Sequence, residues 1–245
     1  MNLQGTTALV TGGGHRIGRA LTLSLAAAGC NIILHYNRSA ASARLTAAEA
    51  EALGARVLLR QADLSRLQDA RPLFADLPAD FGPVQVLVNS AAIFPKDKLA
   101  DLTLEGWSQT FHVNLRSPIL LSQAFYLTLP PELSGAVVNI TDWRTERPYL
   151  THFSYTISKG ALDAFTRTAA IQLAPRVRVN GIALEAILPP AGASEAYWQA
   201  VLATVPLQRG GGTDVVGQTL LYLLSNDFIT GEIIRLSGGA HLKQG

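Results

Sequence analysis

A tyrosine and a lysine four residues apart, in Tyr155-Thr156-Ile157-Ser158-Lys159, have the types and spacing to move a proton. On a helix, residues i and i+4 share a face, so the ammonium at 159 would stand near the phenol at 155. A free phenol ionises at about pH 10, too high for easy exchange near neutrality. A neighbouring cation favours the phenolate and brings the group toward the working range. Upstream, Asp142-Trp143-Arg144 adds a carboxylate and a guanidinium to the same stretch of chain.

A second constellation lies near the N-terminus. Thr6 to Val10 reads as a short buried strand, Thr11-Gly12-Gly13-Gly14-His15-Arg16-Ile17-Gly18 follows, and Arg19 to Ala28 has helical composition. A strand, a glycine-rich turn and a helix form a phosphate cradle. Glycines let the backbone approach the phosphates, and the helix N-terminus supplies free N–H groups and partial positive charge.

The elements that must position these residues alternate along the chain. Strands are expected at 8–10, 31–34, 56–60, 84–88, 136–140, 177–182 and 233–236, each short and rich in Val, Ile or Leu, as in strands buried on both faces. Helices are expected at 16–28, 40–53, 67–76, 104–115, 118–129, 154–173 and 213–224. This alternation predicts a single α/β Rossmann-type domain over 1–245, with a doubly wound, seven-stranded parallel sheet flanked by helices. The stretch 184–206 breaks the pattern with Pro189-Pro190, Gly192, Tyr197 and Trp198. It reads as a substrate loop, or alternatively as a packed surface excursion.

In doubly wound dehydrogenases an acidic residue after the second strand selects NAD. Here that segment is His35-Tyr36-Asn37-Arg38-Ser39, with no Asp or Glu. A guanidinium beside hydroxyls suits a 2′-phosphate, so NADP(H) is the expected cofactor; a solvated loop arginine is the alternative for Arg38.

Composition sets outer bounds. The chain has 245 residues, 48% of them hydrophobic and 16% charged, which fits a globular domain with a sizeable core. A net charge of +2 does not argue for nucleic acid or an anionic membrane. Cys30 is the sole cysteine, so no intrachain disulfide and no cysteine zinc site is expected, and none of His15, His112 or His152 has metal-ligand spacing. No signal-peptide pattern or long apolar run is present. The expectation is a cytoplasmic protein without a metal.

These motifs resemble the short-chain dehydrogenase/reductase family over nearly the whole chain. Its markers appear as Thr11 to Gly18, as Asn89-Ser90-Ala91-Ala92 and as Tyr155/Lys159. Two departures, Arg16 inside the glycine turn and Asp142 where a serine is usual, look like the pteridine reductases, as does 34–40. The resemblance implies cofactor contacts from Gly12, Arg16, Ile17 and Gly18, from 35–39, and from Asp63, Leu64, Asn89 and Ala91, with Tyr155 and Lys159 at the nicotinamide ribose. A helix N-cap is the alternative for Asp63. Asn114 would help hold a water chain to the lysine, with a helix-interior polar residue satisfied by backbone as the alternative. Phe94 would stack on a pterin ring, with a core phenylalanine as the alternative. Family members are commonly homotetramers.

Asp142 is the informative departure. A carboxylate would repel the oxyanion developing on a ketone, so either Asp142 is protonated or the substrate is not a simple ketone; a surface loop residue in a chain with disabled chemistry is the alternative. A pterin C=N bond instead needs a proton on nitrogen as hydride reaches the adjacent carbon, and Asp142 bonded to Tyr155 can assist that transfer. The expected activity is therefore NADPH-dependent reduction of a small pterin or folate-like substrate. The catalytic residues would be Asp142, Tyr155, Lys159 and Asn114, and the substrate contacts Phe94, Asp142, Tyr155 and Glu185. Glu185 stands where relatives carry the glycine of Pro-Gly, and either shapes the loop or meets the substrate. A reductase of another carbonyl or imine, and an NADPH-binding sensor with little turnover, are the alternatives.

Overall fold

A computed structural model describes residues 1–242, apart from the side chain of Leu67. In chain order the main elements are β1 (Thr7–Val10), α1 (Arg16–Ala27), β2 (Asn31–Tyr36), α2 (Ala40–Ala52), β3 (Val57–Gln61) and β4 (Val84–Asn89). They continue with α3 (Leu104–Phe111), α4 (Ser117–Thr128), β5 (Gly135–Asp142), α5 (Phe153–Leu173), β6 (Val177–Leu184), α6 (Glu195–Thr204), α7 (Thr213–Ser225) and β7 (Ile233–Leu236). All seven strands lie in one parallel sheet of order β3-β2-β1-β4-β5-β6-β7.

Alternate strand residues face opposite sides, and each side has its own core. Ala8, Val10, Ile32, Leu34, Val86 and Val88 pack beneath α1, α2 and α7. Leu9, Ile33, Leu87, Val137 and Val179 pack beneath α4 and α5. Strand order reverses between β1 and β4, and in such sheets ligands bind at this switch, beyond the carboxyl ends of the strands. The glycine turn, Asp142 at the end of β5 and Glu185 just after β6 all lie at that edge.

Three stretches differ from expectation. The helix predicted over 67–76 is instead two short 3₁₀ turns, Leu67–Asp69 and Arg71–Phe74. Pro72 disfavours α geometry at Arg71, and Asp69 turns back to accept from the Asp63 backbone N–H at 3.0 Å. The helix predicted over 104–115 ends at Phe111 and runs through a wide π turn, His112–Arg116, straight into α4. Pro118 lacks the N–H that would continue the ladder, and the wide π turn just before it accommodates that break. The predicted loop 184–206 contains α6, capped by Ser194, whose hydroxyl accepts from the Tyr197 N–H at 3.2 Å. Among the described residues, no helix is long and apolar enough to cross a membrane.

Candidate active site

The glycine turn is built by close backbone approach. Gly12 has φ +65° and lies so near Ala91 that a Cβ would stand 3.1 Å from its Cα; a Cβ on Gly18 would meet the Gly12 carbonyl oxygen at 2.0 Å. Thr11 accepts at Oγ1 from the N–H groups of Ser90 and Ala91, both at 3.0 Å, pinning the turn to the chain after β4. No side chain caps α1, so its first N–H groups are left for a ligand.

His35 supports this turn from behind. Its Nδ1 accepts from the Gly12 N–H at 3.2 Å and its backbone carbonyl accepts from Gly13 at 3.1 Å. With Nδ1 accepting, Nε2 carries the proton and donates to the Ala62 carbonyl at 3.2 Å. Burial pushes its pKa down to about 4, so the ring is neutral. His35 thus shapes the cradle, although it also lines the cleft.

That cleft encloses about 630 Å³ and is lined by Gly12, Arg16, Ile17, Gly18, Tyr36, Asn37, Arg38, Ser39, Asp63, Leu64, Ala91 and Tyr155, among others. Arg38 is exposed and Ser39, at the start of α2, makes no side-chain cap hydrogen bond. Asp63 accepts from Ser65 N–H at 3.0 Å and from Ser65 Oγ at 2.7 Å. Those bonds, with Arg66 and Arg38 nearby, hold its carboxyl below the usual range. Asp63 is not the cap of a regular helix.

Asn89 corrects one expectation. It is buried and donates from Nδ2 to Asn139 Oδ1 at 2.8 Å, inside the sheet, and it does not line the cleft. It sits on the last residue of β4, and the alternation of the strand turns its side chain inward.

The chemistry-bearing groups converge where β5 meets α5. Asp142 accepts at Oδ2 from Tyr155 OH at 2.9 Å and from Tyr149 OH at 3.3 Å, and at Oδ1 from the Arg144 N–H at 2.8 Å. Burial pushes its carboxyl up, and these three donors and Lys159 oppose the rise. Lys159 donates to the Ile140 carbonyl at 2.7 Å, with its Nζ 5.8 Å from the Tyr155 ring centre. Burial brings its ammonium down to about 8, against Asp142 and Asp163, which hold it up.

Tyr155 differs from expectation. Burial first, and the Asp142 carboxylate second, push its phenol well above the ordinary value. The predicted lowering by Lys159 does not prevail, because the carboxylate bonded directly to the hydroxyl outweighs an ammonium set over the ring. The phenol is therefore protonated and donates to Asp142, and on its own it is a weaker acid than a free tyrosine; proton transfer from it calls for compensating positive charge at the bound cofactor and Lys159.

Asn114 lies in the π turn. Its side chain brackets the Ile93 backbone, accepting from N–H and donating to the carbonyl, both at 2.9 Å, and donates to Ser158 Oγ at 3.2 Å. Its side chain thus fixes the segment before Phe94 and the middle of α5.

Phe94 borders both the cofactor cleft and a second cleft of about 780 Å³. It is half exposed, which removes the core alternative. One face stacks on His152 at 3.8 Å and 11°, and its neighbours Tyr149 and Tyr155 meet it edge-on at 5.7 and 4.4 Å. His152 holds this pose with φ +63° and an Nδ1 bond to the Pro95 carbonyl at 2.7 Å.

Glu185 braces the chain just after β6. Its Oε2 accepts from Trp143 Nε1 and, at 3.4 Å, from Arg144 Nε. Arg144 lies over the rings of Trp143 and Tyr149. The carboxylate thus knots one wall of the second cleft together through Oε2, and Glu185 also lines that cleft. Arg16, at φ +51°, donates to the Pro189 carbonyl at 2.7 Å and so ties the glycine turn to the 184–206 stretch. Sequence reasoning missed Thr11, Tyr149 and the roles of Trp143 and His152. The density of aromatics between Asp142 and Tyr155 was the available signal.

Residues 13–241 match a family model described as enoyl-(acyl carrier protein) reductase. The chain is 37% identical to the FolM alternative dihydrofolate reductase 1 of Brucella canis, solved with NADP, over 100% of this chain and 97% of that one, with a TM-score of 0.92. It is 32% identical to L-xylulose reductase of Bos taurus, covering 98% of each chain. It is 28% identical to a 3-oxoacyl-[acyl-carrier-protein] reductase of Staphylococcus epidermidis, over 96% of this chain and 99% of the relative. The chain belongs to the short-chain dehydrogenase/reductase family. Within that family it resembles the pteridine reductase-like branch.

It is an oxidoreductase whose cofactor is NADP(H), the form bound by several solved relatives. The residues present fit that group. The cradle closes around glycines where side chains would clash, and the β2 end offers a guanidinium and hydroxyls with no acid.

Proposed function

We propose that the protein is an NADPH-dependent pterin reductase that converts a dihydropterin, dihydrofolate included, to its tetrahydro form. The observation that carries this reading is Asp142, a buried carboxylate that accepts a 2.9 Å hydrogen bond from the Tyr155 hydroxyl. At that place a ketone would need a donor for its oxygen, and a carboxylate opposes the charge that develops there. A ring C=N has no such oxyanion.

Arg38 and Ser39 would take the 2′-phosphate, the turn at Gly12–Gly18 the pyrophosphate, and Lys159 with Tyr155 the nicotinamide ribose. When bound, NADPH supplies hydride to the ring carbon. Tyr155 OH gives its proton to the adjacent ring nitrogen, so C=N becomes CH–NH. Asp142 holds the hydroxyl in line and Lys159 offsets the negative charge left behind. The exposed face of Phe94 would take the flat heterocycle, in a cleft roomy enough for a pterin with a long substituent. The reading carries with it a homotetramer in the cytoplasm.

A carbonyl reductase is the second reading, favoured by the likeness to L-xylulose and 3-oxoacyl reductases. NADPH oxidation with dihydrobiopterin, dihydromonapterin, dihydrofolate and a ketone panel decides. Turnover on a dihydropterin is expected; turnover on ketones alone refutes the proposal, and NADPH binding without turnover points to a sensor.

A further inference from the structure

We propose that Asp163 is a positioning residue for Lys159, a second buried counter-charge that keeps the lysine an ammonium at the cofactor. Helix α5 sets Tyr155, Lys159 and Asp163 at successive i+4 positions on one face, and all three are buried, at 8%, 3% and 7% exposure. An enclosed ammonium is costly unless opposite charge stands close. Its hydrogen bond to the Ile140 carbonyl supplies dipole but no charge. Asp142 supplies one charge, but three other donors share it.

Asp163 has an oxygen to spare, and although burial pushes its carboxyl up, Thr145, Thr141, Arg167 and Lys159 oppose that rise. Its Oδ2 accepts from Thr145 Oγ1 at 2.7 Å, while its buried Oδ1 has no hydrogen-bond partner. Thr141 lies near enough to favour the carboxylate without a well-directed bond. The charged groups around Asp163 are Lys159 and Arg167 from α5 and Arg235 from β7, and Arg235 is itself paired with Glu146. Lys159 faces Asp142 from β5 and Asp163 from its own helix. The Thr145 bond also fastens the short turn that Asp142 caps to α5, so one carboxylate serves both halves of the site.

The sign follows from these neighbours. Burial already lowers the lysine, to about 8, and Asp163 works against that lowering. Removing the carboxylate makes Lys159 lose its charge at lower pH. The test is the pH dependence of NADPH affinity, followed by nicotinamide fluorescence, for wild type and Asp163→Asn, Asp163→Ser and Asp163→Glu, with folding checked by circular dichroism. The alkaline midpoint is expected to fall by about one pH unit for Asn and Ser and to return toward wild type for Glu. The pH profile of kcat, on any substrate reduced, is expected to move the same way.

Superimposable midpoints overturn the proposal, as does an equal loss of affinity at every pH, which marks packing alone. Should Asn and Ser both fail to fold, Glu is expected to fold, and an unfolded Glu variant overturns it too. The inference rests on Lys159 binding the cofactor ribose. Lys159→Met separates the two: if it leaves both NADPH affinity and its pH dependence unchanged, the ribose assignment fails.

Discussion

Arg38→Ala is expected to weaken NADPH strongly and NADH hardly at all. The 2′-phosphate is the only group by which the two cofactors differ, and Arg38 is the cation the β2 end offers to it. A unit charge pair at about 4 Å is worth about 1 kcal/mol in water and about 4 kcal/mol near a protein surface. Arg38 is exposed, so the lower part of that span applies, about 1–3 kcal/mol, or roughly 5- to 150-fold in Kd. Asp63 enlarges the loss. Its bonds to Ser65 keep it ionised, and without Arg38 its charge opposes the phosphate unscreened. Fluorescence titration of both cofactors measures the ratio. Raising salt from about 0.1 M to about 1 M shortens the Debye length from about 10 Å to about 3 Å, and the NADPH preference should shrink with it. Equal losses for NADPH and NADH, or a preference indifferent to salt, would refute the assignment.

Tyr155→Phe should cut turnover by at least about 100-fold while leaving NADPH Kd within a few-fold, since the lost group acts on the proton; retained turnover in single-turnover assays contradicts the acid role. Asp142→Ser should lower dihydropterin turnover and admit ketones, because a hydroxyl can donate to an oxyanion where a carboxylate cannot; an unchanged substrate ranking in the same assay argues against the pterin reading. Gly18→Ala should abolish NADPH binding or folding, because its Cβ would stand 2.0 Å from the Gly12 carbonyl oxygen; near-normal affinity contradicts the cradle geometry. His35, buried neutral with a folded pKa of about 4 against about 6.5 unfolded, contributes stability that is full above pH 6.5 and lost as pH falls through 4. Denaturant titrations should show up to about 3 kcal/mol of loss across that window, and His35→Asn should flatten it.

Local chemistry made much of this site legible in the sequence. The strand, glycine turn and helix at 6–28 announce a cradle because few other folds need φ > 0 and missing Cβ atoms just there. The Tyr155/Lys159 spacing announces a shared helix face. What escaped depends on contacts made across the fold. Asn89 looked like a cofactor contact and is turned into the sheet toward Asn139. For Glu185 the sequence left loop shaping and substrate contact both open, and only the fold shows its bond to Trp143, 42 residues away. The direction of the Tyr155 shift escaped for the same reason: spacing along α5 reveals the lysine, while only the end of β5 reveals which charge touches the hydroxyl.

On the proposed function, that last point bears on how a common fold would reach an uncommon substrate. Seven strands and a glycine turn fix where a cofactor lies, and the likeness to carbonyl reductases is accordingly as long as the likeness to a dihydrofolate reductase. On the proposed function the distinction sits in one carboxylate, and a buried carboxylate is tolerable only with its surroundings adjusted. Tyr149 and the Arg144 N–H share its lone pairs, and Lys159 balances its charge. Arg144 is in turn held against Trp143 by Glu185. A serine at position 142 would require none of these. The aromatic and charged residues between Asp142 and Tyr155 are therefore best understood as the solvation of Asp142, which predicts that Tyr149→Phe and Trp143→Phe should impair the wild type more than they impair Asp142→Ser. Double-mutant cycles on turnover measure this, and strict additivity would mean that these side chains serve the substrate independently of the carboxylate.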